Sequence, residues 1–116
     1  MNNKLFIYGT LMDSKIQKNV IGRIVNGIPD TLREYEKSEI EIEGEKYPII
    51  IKNKNGIVEG LLIEMNDEEL KNIDEYEGNE YKRIKVILKS GIIAWVYIKN
   101  KKPAIIGELK KLFNIF

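Results

Sequence analysis

Cysteine and histidine are both absent from the 116 residues. Without cysteine there are no disulfides, thiolate nucleophiles or cysteine-ligated metals. Without histidine as well, a His-based triad, a Cys-His pair and the usual zinc site are excluded. Any acid-base catalyst must then be Asp, Glu, Lys or Tyr. Net charge is also nearly missing: 19 Lys and Arg stand against 18 Asp and Glu, for a formal +1. The basic residues are scattered rather than clustered, so nothing points to a nucleic-acid partner. No apolar run approaches the length needed to cross a bilayer, and the one in "MNNKLFIYGTL" is far too short for a signal peptide. A cytoplasmic protein with no membrane partner is expected. There is no repeat, linker or low-complexity segment, and a chain of this length suits one domain over residues 1–116.

What is present reads as strands punctuated by turns. "LFIY", Leu5 to Tyr8, is a short apolar run stopped by Gly9, the pattern of a buried strand entering a turn. Asp13 or Ser14 can cap a short helix ending near Val20. "GRIV" reads as a further short strand. Between Leu32 and Ile42 an extended stretch ends with Glu39, Glu41 and Glu43 alternating with Ile40 and Ile42, the period of two that leaves one strand face wet. "EGEK" turns the chain into "YPIII", and "KNKNG" reads as a second hairpin turn. Ile57 to Met65 forms a strand whose Gly60 signals a bulge or a close backbone approach. "YKRIKVIL" and "IIAWVYI" are two strands joined by Lys89-Ser90-Gly91, and "IGELKKLFNIF" suits a short terminal helix with Leu109, Leu112 and Phe113 at helical spacing. The expected fold class is α+β: about six strands in a small mixed, mostly antiparallel β-barrel with few helices.

The clearest helix is "NDEELKNIDEYEG", with Asn66 as N-cap, Glu69 completing a capping box and Gly78 as the stop. At ~100° per residue, Glu77 lies about 20° from Leu70 and between it and Ile73, whereas Glu68 and Glu75 fall on the opposite face. Glu77 is thus aimed along the apolar stripe, and Asp74 sits at its border. An inward carboxylate is costly unless it is paired, hydrogen-bonded or facing a pocket. Desolvation and the helix C-terminus would both raise its pKa toward the range of a general base. Periodicity alone leaves a second reading open, in which the last turn frays and Glu77 reaches solvent or pairs with Arg83 or a lysine.

Tyr81 and Arg83 share one face of the following strand, opposite Ile84, Val86 and Leu88. They read either as an ordinary strand edge or as the wall of a site that includes Glu77. At the other end of the chain, the N–H groups of Gly9, Thr10 and Leu11 follow a buried strand and can form an anion-binding turn.

Taken in order, "YGTL" after the first strand, "YP", "VEGLLIEM", "IDEYEG", "YKR" and "AWVY" resemble the gamma-glutamylcyclotransferase-like, or AIG2-like, family. The resemblance covers Leu5 to Tyr97. It implies a small mixed barrel with a cavity at one end and no metal or cofactor. In members that are enzymes, the free α-amine of a gamma-glutamyl compound attacks its own γ-carbonyl, closing 5-oxoproline and releasing the attached amine. The match of the family's Asp-x-x-Glu-Gly stretch to Asp74–Gly78 puts the catalytic role on Glu77. Tyr8, Gly9, Thr10 and Leu11 match its substrate-binding loop, while Tyr47, Tyr81 and Arg83 are candidates for the site wall or its support. The short chain is most similar to the compact group that includes gamma-glutamylamine cyclotransferases. The expected partner is therefore a small-molecule gamma-glutamyl amine or related amide. A non-catalytic binding domain for a small carboxylate metabolite is the alternative, and an interaction module the third reading.

Overall fold

The structure, a computed structural model, describes residues 2–100. Its centre is β1 (Asn3–Ile7), which pairs antiparallel with β3 (Glu45–Met65) on one side and parallel with β5 (Ile93–Lys99) on the other. β2 (Ile28–Ile42) flanks β3, and β4 (Tyr81–Ile87) flanks β5, giving the order β2-β3-β1-β5-β4. Side chains alternate across a strand, so the unbroken run "LFIY" must bury both faces. Leu5 and Ile7 join Ile63, Met65, Leu70 and Ile73 in a core beneath the helices. Phe6 and Tyr8 point the other way, into a second core with Leu32, Ile50, Val58 and Val96.

That second core lies inside the curl of the sheet. Although β2 and β4 are its opposite edges, Leu32 of one and Ile84 and Val86 of the other meet in the same cluster. Between β4 and β5 the turn carries Gly91 at φ +92° and closes the curl. There the Lys89 N–H donates to the Thr31 carbonyl at 2.8 Å, and the Ser90 hydroxyl to Asp30 at 2.6 Å. The result is a mixed α+β half-barrel, five strands and two helices among the described residues.

Both helices have the caps that the sequence signals. In α1 (Ser14–Val20) the Asp13 carboxylate accepts the N–H of Lys15 at 2.8 Å. Its buried Gln17 ties down the neighbouring chain, donating to the Leu11 carbonyl at 2.8 Å and accepting from the Val25 N–H at 2.9 Å. In α2 (Asp67–Glu77) Asn66 and Glu69 form the full capping box, and Arg23 grips the same Glu69 through two bonds of 2.7 and 3.0 Å.

The fold departs from the sequence reading in three places. "GRIV" is not a strand: Gly22–Val25 loops past α1 so that Arg23 can reach Glu69 and Val25 can enter the core. "KNKNG" is not a hairpin turn, because β3 runs through it. Arg33 pairs with Ile57 but Tyr35 with Lys52, so Glu34 alone opposes residues 53–56. This is a large special bulge, with Glu34 at φ +70° absorbing the change of register. The strand count is accordingly five rather than about six. The terminal helix expected around Leu109, Leu112 and Phe113 lies outside the described residues.

Gly60 is explained by close approach: a Cβ there would sit 2.2 Å from the Ile7 carbonyl oxygen and 2.8 Å from the Phe6 ring. Gly44, at φ +82°, has nothing within 4 Å of the same position. Gly60→Ala is therefore expected to cost about 3 kcal/mol by displacing β1, and Gly44→Ala about 1 kcal/mol through backbone strain alone. Urea midpoints of the two variants against the parent measure the difference, and equal losses would refute this account of Gly60.

Candidate active site

Three elements converge on one cavity of about 420 Å³. The end of β1 supplies Tyr8 and the loop Gly9–Leu11, the tip of the β2–β3 hairpin supplies Ile42, Glu43, Lys46, Tyr47 and Pro48, and the last turn of α2 with the strand after it supplies Tyr76, Glu77, Glu80 and Tyr81. Tyr97 of β5 completes the wall.

The loop begins a single 3₁₀ turn, Thr10–Met12, in which Met12 and Asp13 donate back to the carbonyls of Gly9 and Thr10 at 3.0 Å. Such a turn leaves its leading N–H groups without internal acceptors. Among the described residues, the N–H groups of Gly9, Thr10 and Leu11 have no hydrogen-bond partner. They are donors available to an anion. Gly9 is at φ −127°, so left-handed geometry does not require glycine here; a Cβ would instead press to 3.3 Å of the Pro48 ring across the rim.

Leu70 and Ile73 are buried in the helix-side core, Glu68 and Glu75 are exposed, and Glu77, on the same stripe as Leu70, is half-buried against the cavity. The last turn does not fray. Gly78 adopts φ 69°, ψ −163°, a region essentially confined to glycine, and its N–H closes the helix on the Asp74 carbonyl. Arg83 is spoken for by Asp74, and none of the ion pairs among the described residues involves Glu77. Burial, and secondarily the Asp74 charge, push the Glu77 pKa from 4.5 up to about 7.

The rest of the wall is largely tyrosine. Tyr8 donates to the Tyr97 carbonyl at 2.7 Å, Tyr81 to the Pro48 carbonyl at 2.7 Å, and Tyr97 to Asp74 at 2.5 Å. Tyr76 and Thr10 share a bond of 2.9 Å that links helix to loop. Burial raises the hydroxyl pKa of all three inner tyrosines; Tyr81, with Glu77 and Glu80 also near, is pushed up to about 12. These groups are neutral at pH 7 and offer ring surface to the cavity. Asp74 behaves oppositely to Glu77. Partial burial disfavours its charge, but hydrogen bonds from Arg83 and Tyr97 outweigh that and hold its carboxyl below the usual range.

Of the residues nominated by sequence, Tyr8, Gly9, Thr10, Leu11, Tyr47, Glu77 and Tyr81 line the one cavity. Arg83 does not; it lies behind the wall, on Asp74 and 4.3 Å from the centre of the Trp95 ring. The sequence reading missed Ile42, Glu43, Lys46 and Pro48 as lining residues, and no local signal marks a hairpin tip as one side of a pocket. Tyr76 was missed because it sits on the exposed side of α2. Among the described residues no group of three or more His, Cys, Asp or Glu could hold a metal ion, and no helix is long and apolar enough to cross a membrane.

The geometry agrees with what comparison finds. Residues 5–111 match the family model described as gamma-glutamyl cyclotransferase, AIG2-like. Protein AIG2 C of Arabidopsis thaliana is 27% identical over 115 residues, covering 92% of this chain and 68% of that one. A solution structure of an Arabidopsis thaliana protein superposes with a TM-score of 0.73 at 22% identity, covering 99% of this chain and 74% of that one. A structure described as gamma-glutamyl cyclotransferase gives a TM-score of 0.69 at 16% identity, over 86% of this chain and 68% of that one. The matched region, the shared half-barrel and the cavity at the end of β1 converge: the chain belongs to the gamma-glutamyl cyclotransferase, AIG2-like family.

Proposed function

We propose that this protein is a cyclotransferase that converts a gamma-glutamyl amine, or a related small gamma-glutamyl amide, into 5-oxoproline and the free amine. The observation that carries this reading is a half-buried carboxylate, Glu77, with a pKa near 7, sharing a cavity with the unpartnered N–H groups of Gly9, Thr10 and Leu11. Family membership and the gamma-glutamyl cyclotransferase fold support a reaction of this class.

The chemistry is intramolecular. In this reading the loop N–H groups hold the substrate's α-carboxylate, and the glutamyl chain bends so that its α-nitrogen meets its own γ-carbonyl carbon. That amine is mostly protonated near neutrality, so ionised Glu77 first takes one proton from it. The freed lone pair then forms the ring N–C bond. Glu77 passes its proton to the leaving nitrogen as the old C–N bond breaks, takes the surplus proton of the ring nitrogen and yields it to the departing amine, which leaves as an ammonium and restores ionised Glu77. No net water or proton is consumed. The tyrosine walls keep bulk water from the reacting atoms, which strengthens both the anion contact and the proton affinity of Glu77.

Incubation with a panel of gamma-glutamyl amines and dipeptides, with 5-oxoproline as the readout, tests the reading. Turnover should rise with pH through a midpoint near 7, the pKa of Glu77, and Glu77→Gln should lower it by about a thousandfold. If 5-oxoproline raises the melting temperature but no panel member turns over, the cavity is a binding site rather than a catalytic one.

The same variant separates lost chemistry from lost structure. A carboxyl whose folded pKa is about 7 against 4.5 binds its proton more tightly when folded. Its stability cost is absent below about pH 4.5, grows as pH rises, and is complete above about 7. Glu77→Gln removes that cost, so it should melt higher than the parent at pH 8, by about 3 kcal/mol in unfolding free energy, and equally at pH 4. An inactive variant that melts lower at pH 8 would instead point to structural damage.

A further inference from the structure

The last turn of α2 carries three carboxylates and no basic residue of its own; Glu75 is exposed, and the other two, Asp74 and Glu77, are one turn apart and partly buried. Like charges at that spacing repel, and the helix C-terminus disfavours both. The compensating cation comes from β4, and it is given entirely to one of them. Arg83 Nε lies 2.8 Å from Asp74 Oδ1 and Nη2 3.0 Å from Oδ2, while the Tyr97 hydroxyl donates to Oδ1 at 2.5 Å. The guanidinium is braced in turn by the face of Trp95. Both Asp74 oxygens are thus fixed outside the cavity, and Glu77 is left to face it.

We propose that Asp74 is a positioning residue for proton transfer: held as an anion by Arg83 and Tyr97, it keeps a fixed negative charge beside Glu77 and pins the last turn of α2 to β4 and β5. This rests on Glu77 being the proton-transfer group. An uncharged side chain at position 74 could anchor the turn equally well, but an anion there adds to burial in making the neighbouring carboxyl hold its proton toward neutral pH. Two like groups in adjacent environments that push their proton affinities apart form a base and its fixed companion.

The other groups around Glu77 do not supply that charge. Tyr8, Tyr81 and Tyr97, from the end of β1, β4 and β5, are neutral at pH 7 because burial holds their protons on. Glu80 is matched by Lys99 at 3.4 Å. The hairpin tip brings Tyr47 together with Glu43 and Lys46, whose formal charges cancel.

Carboxyl NMR titration of Glu77 in the full chain tests the proposal without requiring turnover. Asp74→Asn should move the Glu77 midpoint toward acid by about one pH unit, and Arg83→Gln, which unmasks the Asp74 charge, should move it toward alkali. A purely structural anchor gives a different pattern, because loosening the turn in either variant exposes Glu77 and lowers the midpoint in both. That result, or an unchanged midpoint in Asp74→Asn, overturns the proposal. Should Arg83→Gln fail to fold, Tyr97→Phe removes one bond to Asp74 and should shift the midpoint toward alkali by a smaller amount; a shift toward acid would count against it. In a working enzyme the acid limb of the pH–rate profile follows the titration in each variant. Failure of the parent to form 5-oxoproline from any panel member would sink the cyclotransferase reading and leave the titration to decide the role of Asp74.

Discussion

Leu5, Phe6 and Ile7 expose no more than 3% of their surface, so β1 must be covered on both faces and along both edges. This requirement organises the molecule. The edges demand β3 and β5, one face demands the helices, and the other demands that the sheet curl until β2 and β4 share a core. A strand so enclosed is a rigid platform, and the chain leaves it at Tyr8 directly into the loop that lines the cavity. The loop is steadied on its far side by Gln17, which spans from the Leu11 carbonyl to the Val25 N–H. Precision at the site is thus inherited from burial at the centre.

A chain without histidine or cysteine must obtain a group that titrates near neutrality by altering an ordinary one. Here tyrosine does much of the altering. Five of the six tyrosines line the cavity: Tyr8, Tyr47, Tyr76, Tyr81 and Tyr97. Four of them commit their hydroxyls to protein partners, so their polar ends are satisfied while their rings desolvate Glu77. The cavity can therefore be poor in water without stranding polar groups, and the burden of an uncompensated charge falls on one carboxyl alone.

What could be read from the sequence was whatever is decided within a few residues. The capping box of Asn66 and Glu69, the stop at Gly78 and the split between exposed Glu68 and Glu75 and inward Glu77 all follow from local geometry, and all appear in the fold. So does the close approach at Gly60, because a glycine inside a strand pattern has few other causes. The failures needed partners far along the chain. "KNKNG" has the composition of a turn, yet β2 holds it in the sheet through pairs on either side of Glu34. "GRIV" has strand composition, but its conformation is set by Glu69, distant in sequence. Within the cavity, the strand ends and the helix stop were legible, whereas the hairpin tip was not, since only the curl of the sheet brings Ile42 to Pro48 opposite Glu77.

The hairpin tip has a consequence for how such a site can change. One side of the cavity is anchored in α2, β4 and β5, and another at the end of β1, but the third wall hangs from a two-stranded arm that, from Tyr35 and Lys52 outward, is laddered only to itself. Its fastening to the rest of the rim is the Tyr81 hydroxyl on the Pro48 carbonyl. Residues 42–48 can be lengthened, shortened or exchanged without disturbing a single bond to Asp74, Gly78 or the loop after β1. The molecule separates a fixed chamber from a replaceable visor, so selection can retune which compounds enter while leaving the wall around Glu77 untouched.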